Sequence, residues 1–180
     1  MSGPDSSAVA ADGGDRAPGP LHLVQSFANT LSAVSDVDRL RTREEAVAWL
    51  RTAALLPAEA ALTNSEHSAL LRLRESVRDV LAARAGGRDD AEAAARLTKA
   101  LADGRLVVTA GPASTVQLAS AARASYPSIV AAVAVAIAES AAAGTWPRLK
   151  TCSAPGCGLA FYDGTPSSGS VRCSMHLSGV

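Results

Sequence analysis

"TNSEHSALLRLRESVRDVLAARAGG", residues 63–87, is the stretch on which the class of fold turns. Thr63 and Glu66 stand three apart ahead of an apolar run, the spacing of a capping box at a helix N-terminus. Leu70, Leu73, Val77, Val80 and Leu81 then recur at three- and four-residue steps, while Arg72, Arg74, Arg78 and Arg84 lie largely off that stripe. A half-buried strand would alternate every second residue, so this period predicts a long amphipathic helix. Gly86-Gly87 ends it.

The same signals recur on both sides. "TREEAVAWLRTAALL", residues 42–56, offers Thr42 and Glu45 as a second capping box, and the helix it starts ends before Pro57. Upstream, Leu23, Val24, Phe27, Leu31 and Val34 share one helical face, which predicts a first core helix from Leu21. Downstream, "RDDAEAAARLTKALADG" predicts a helix closed by Gly104. "RLVVTAG" and "TVQLAS", split by Gly111-Pro112, then change to the strand period and predict a hairpin. A long alanine- and valine-rich helix follows from about Ser128 to Ala143 and stops at Gly144. Its apolar run "IVAAVAVAIA" is shorter than the about 20 residues a bilayer span needs, so it predicts a buried helix and no membrane partner.

Residues 1–20 are small, polar and rich in Gly, Pro and Asp, which predicts a disordered tail without the apolar core of a signal peptide. A cytoplasmic location is expected, and three cysteines there serve as metal ligands or free thiols rather than disulfides. Lysine plus arginine and aspartate plus glutamate number 17 each, so no global field holds the chain on a polyanion.

All three cysteines fall in residues 151–180, "TCSAPGCGLAFYDGTPSSGSVRCSMHLSGV". Cys152 and Cys157 form one close pair, and Cys173 and His176 another, fifteen residues on. Two such pairs are how zinc is commonly bound. Pro155-Gly156 permits the turn between the first two ligands, and Gly158 permits close approach of backbone to the thiolates. "LAFYD" reads as a strand and "CSMHL" as the first turn of a helix, a treble-clef-like zinc module. Three unligated packing thiols are the competing reading.

This tail resembles the CGNR zinc finger, with its cysteine pair spaced by four and its aromatic-aromatic-aspartate strand, here Phe161-Tyr162-Asp163. "LVQSFANTLSAVSDVDRLRTREEAVAWLRTAALL" together with "LRLRESVRDVLAARAGG" resembles the ABATE domain that accompanies this finger in bacterial stress-induced transcription regulators. The resemblance implies zinc on Cys152, Cys157 and Cys173. The family's fourth ligand would fall at Ser178, so His176 is the substitute. It also implies DNA as a partner. The basic residues of the tail are Arg148, Lys150 and Arg172, a thin patch that dimerisation would double.

The expected architecture is mainly α: a helical ABATE-like domain over 21–146 with one small β-hairpin, and a truncated CGNR-like finger over 147–180. The expected function is transcription regulation with a finger contacting DNA. The alternative is a ligand- or protein-binding module whose finger is purely structural. An effector pocket, for a small molecule or a protein, would draw on Asn29, Arg74 and Arg78; a structural amide at Asn29 is the other reading. With no nucleophile elbow, phosphate loop or general base beside the cysteines, no enzyme is expected.

Overall fold

The computed structural model describes residues 15–88 and 90–177. Six helices dominate: α1 (Leu21–Ala28), α2 (Arg43–Thr52), α3 (Asn64–Ala85), α4 (Ala91–Leu101), α5 (Tyr126–Ala142) and the single turn α6 (Ser174–Leu177). Three antiparallel pairs interrupt them: β1 (Leu31–Ser32) with β2 (Val37–Asp38), β3 (Leu106–Ala110) with β4 (Val116–Ser120), and β5 (Leu149–Thr151) with β6 (Ala160–Tyr162). Among the described residues no helix is long and apolar enough to cross a membrane.

Both capping boxes form. The Thr42 hydroxyl accepts from the Glu45 amide and the Glu45 carboxylate accepts from the Thr42 amide, and Thr63 and Glu66 repeat the exchange at α3. Satisfying two otherwise unpartnered amides sets where each helix begins. α3 is the hub. Leu70, Leu73, Val77 and Leu81 are fully buried on it against Leu21, Val24 and Phe27 of α1 and Ile129, Val130 and Val133 of α5. Gly104 after α4 serves packing as well as termination: a β-carbon there would lie 2.9 Å from the Ala131 backbone nitrogen of α5.

The structure departs from expectation at three places. α1 stops at Ala28 instead of running through Leu31 to Val34, and the Arg78 guanidinium satisfies the Ala28 and Leu31 carbonyls at 3.0 and 3.3 Å where the chain turns away. The chain turns into the β1–β2 hairpin and leaves Val34 exposed. The expected single hairpin is β3–β4, with β1–β2 and β5–β6 in addition.

The second departure concerns the first twenty residues. Residues 1–14 lie outside the described residues, but Ala17 is buried, and its amide donates to the Gln25 side chain at 2.8 Å. The third is the relation of the tail to the helices. Leu149 of β5 and Ala160 of β6 are buried in the same core as α1, α3 and α5, so the tail is packed into the domain rather than appended to it. A leucine so buried contributes about 1.5–3 kcal/mol.

Candidate metal centre

β5 runs out of the main core and delivers Cys152 at its end. A tight turn follows, closed by the Cys157 amide on the Ala154 carbonyl at 3.0 Å and by the Cys152 amide on the Leu159 carbonyl at 2.8 Å. Gly156 and Gly158 make that turn with φ of 75° and 59°, a region side chains disfavour. The room at Gly158 faces Arg78 rather than the thiolates: a β-carbon there would sit 3.2 Å from Arg78 Nη2. After β6 and a loop, the Ser153 amide bonds the Val171 carbonyl at 2.9 Å and draws in Cys173 at the head of α6. One turn of helix, with the His176 amide on the Cys173 carbonyl, brings the imidazole over the same point.

The four ligand atoms lie within 4.8 Å of one another. Cys157 Sγ is 4.0 Å from Cys173 Sγ, and His176 Nδ1 is 3.2 Å from Cys173 Sγ and 3.6 Å from Cys152 Sγ. All three sulfurs belong to buried residues, with Phe161 packed among them. Burial pushes the Cys173 thiol up to about 12, reinforced by its bond to Cys152 and the charge of Cys157. Burial also opposes ionisation of Cys152, but hydrogen bonds from the Cys173 and Ala154 backbone outweigh it and hold that thiol below its usual range. Crowded thiols of this kind favour a shared cation over three separate charges. These four residues, singled out by their spacing in the sequence, cluster closely enough that they could hold a metal ion. Ser178 lies outside the described residues.

The remaining site residues of the sequence reading are placed differently from expectation. Lys150 is not a surface cation. Its ammonium is buried, bonded to Asp163 Oδ2 at 2.8 Å, to the Ser170 carbonyl at 3.0 Å and to the Ser168 carbonyl. Arg148 is half-buried and spends Nη1 on the Asp163 and Thr165 carbonyls at 3.1 and 2.7 Å. Only Arg172 of the three is exposed. Both cations therefore hold the loop between β6 and α6 in place, Lys150 from the interior and Arg148 through Nη1.

Arg74 and Arg78 reach residues 28–31 beside Asn29, and each of the three side chains has partners of its own. The Asn29 amide donates to the Ala160 carbonyl at 2.9 Å and accepts from the Ala160 amide at 2.8 Å, clamping β6 onto the end of α1. Arg74 is buried in an ion pair with Asp38 and also reaches Glu75 at 2.9 Å. Arg78 satisfies the carbonyls at the end of α1 described above. Of the two readings of Asn29, the satisfied structural amide is the one found.

Two supports escaped the sequence reading. Asp163 accepts from Lys150 Nζ, from the Thr165 amide and hydroxyl at 3.0 and 2.6 Å, and from the Ser170 amide at 2.9 Å. Burial opposes its charge, but those donors, Lys150 foremost, hold the carboxyl down at about 2. Asp15 caps α6, accepting from the Ser174 amide at 2.8 Å and from its hydroxyl. The opposite charges of Asp163 and Lys150 were visible in sequence, though not their pairing; Asp15 sat in a stretch whose composition concealed any role.

A family model named ABATE, described as "Putative stress-induced transcription regulator", matches residues 21–144. No curated protein matches the chain.

Proposed function

The chain belongs to the ABATE family, and from that premise we propose that it is a zinc-dependent transcription regulator whose tail is a structural module clamped to the helical domain. The convergence of Cys152, Cys157, Cys173 and His176 carries this reading. A tetrahedron with Zn–S near about 2.3 Å and Zn–N near about 2.0 Å places two sulfurs about 3.8 Å apart and a sulfur about 3.5 Å from the nitrogen. The sulfur pair at 4.0 Å lies slightly beyond the first separation, and the sulfur–nitrogen pairs at 3.6 and 3.2 Å fall either side of the second. Zinc held there would tie the β5 turn to α6, and a closed set of four protein donors is the structural kind of site, so we propose no hydrolytic role.

The clamp reading draws support from where the tail is fastened. Asn29 grips Ala160, and Arg84 grips the Trp146 and Leu149 carbonyls at 2.6 and 2.7 Å. Elemental analysis of purified protein should find about one zinc per chain, lost in Cys157→Ser. Chelation should lower the melting temperature of the whole molecule in one transition, because the tail and the helices share a core. Protein that carries no zinc, or a melt indifferent to chelation, would refute the proposal.

The second reading, direct DNA contact by the tail, is favoured by the exposure of Arg172 one residue from Cys173. One phosphate contact per chain gives a shallow salt dependence, about one unit of log–log slope. Measuring duplex affinity against salt for the parent and Arg172→Ala separates the readings. An Arg172-dependent slope supports DNA contact, and no measurable binding supports the clamp alone.

A further inference from the structure

Arg84 is spent only in part. Nη1 donates to the Trp146 and Leu149 carbonyls, and the guanidinium carbon lies 4.5 Å over the Trp146 ring. A guanidinium carries five N–H donors, so Nε and Nη2 keep three with no acceptor among the described residues. No carboxylate there pairs with it either, in contrast to Arg74 and Arg96. Burial brings its pKa down to about 10, which leaves it a cation at neutral pH. An unbalanced, half-buried cation with an open donor edge is costly unless something anionic visits it.

Arg84 lines a pocket of about 520 Å³ at the junction of α3, α4 and the start of the tail. Val80, Ala83 and Ala94 line it with apolar side chains, Trp146 adds an aromatic ring, and Arg88 a second cation. Arg88 is exposed. Asp90 also lines it, but its Oδ1 is turned to the Ala93 amide as the N-cap of α4. The lining thus combines apolar side chains with two guanidinium groups, and the fork of Nε and Nη2 matches two coplanar oxygens.

We propose that this pocket binds a small carboxylate with an apolar body, its carboxylate on Arg84 and Arg88 and its body against Trp146 and the alanines. The same guanidinium holds the first carbonyls of β5, so occupancy on one edge bears on the strand that delivers Cys152. The site is separate from the metal centre, and the inference does not depend on whether the tail touches DNA.

Benzoate is a suitable probe, with benzamide as its uncharged counterpart and inorganic phosphate as an anion without an apolar body. The chain has two tryptophans, so in a Trp49→Phe background Trp146 alone reports. Fluorescence titration of the full metal-loaded chain, checked by calorimetry, should show benzoate saturating with a Kd on the order of 1 mM or tighter, and benzamide at least about tenfold weaker. Arg88→Ala, exposed and with no side-chain hydrogen bond among the described residues, should weaken benzoate by about three- to tenfold. Arg84→Lys, which keeps the charge but loses the fork, should weaken it at least about tenfold. The proposal is overturned if benzoate does not saturate by about 10 mM, if benzamide or phosphate binds as well, or if Arg88→Ala leaves the affinity unaltered.

Discussion

Replacing Asp163 with alanine should destabilise this protein more than any single loss of a surface charge. The Asp163 side chain is 0% exposed and that of Lys150 9%, so the substitution strands an ammonium in the interior with only two backbone carbonyls left to it. Breaking a buried pair from one side costs about 3–5 kcal/mol. For a chain of this size that corresponds to a fall in melting temperature of roughly 6–20 °C. The loop between β6 and α6 also loses the acceptor for the Thr165 and Ser170 amides, so Cys173 is less firmly held. Thermal unfolding by circular dichroism measures the first effect, and thiol reactivity with a chromogenic disulfide under chelation measures the second. The double variant Lys150→Met/Asp163→Leu removes both charges and should recover most of the loss, because the penalty comes from the unpaired ion and not from the absent pair. If Asp163→Ala costs under about 1 kcal/mol, or the double variant is no better, the reasoning fails: Lys150 would then be reaching water.

Three further outcomes follow from the geometry. His176→Ala should weaken zinc retention, read by competition with a chromogenic chelator, by at least about tenfold while leaving the helical content intact; unchanged retention would place the fourth ligand elsewhere. Asn29→Ala should cost about 1–3 kcal/mol, because the Ala160 amide loses its acceptor while its carbonyl keeps the Gln25 side chain at 3.1 Å. The Asp163 carboxyl is held at about 2, below its unfolded value, so its stabilising contribution is complete above about pH 4 and is lost as the pH falls toward 2. Denaturant titrations of chelated protein should therefore show less acid sensitivity in that window for Asp163→Asn than for the parent.

How much of this was legible beforehand differs from element to element. Thr42 and Thr63 with their glutamates marked the starts of α2 and α3 because a cap is a matter of four consecutive residues. The β3–β4 hairpin and the close of α3 at Gly86-Gly87 were legible for the same reason. The pairing of Cys152 with Cys157 and of Cys173 with His176 was readable as spacing, although only the fold could bring the two pairs within 4.8 Å. The end of α1 could not be read: its helical pattern runs on to Val34, and the Arg78 guanidinium that satisfies the Ala28 and Leu31 carbonyls comes from some fifty residues away.

What the sequence determined by itself, then, is everything set by neighbours along the chain: caps, periods, turns and the candidate ligand pairs. What only the tertiary structure decided is the use to which charge is put. Arg148, Lys150 and Arg172 look alike in sequence, yet two are internal braces and one faces water. Asn29, Arg74 and Arg78 look like a constellation, yet each is occupied with a different backbone or carboxylate. Arg84, one of several arginines off the α3 stripe, is half-buried over Trp146 with its Nε and Nη2 lacking an acceptor among the described residues. A charged side chain takes its role from which acceptors the fold places within about 3 Å and whether water can still reach it, and neither is a property of local sequence.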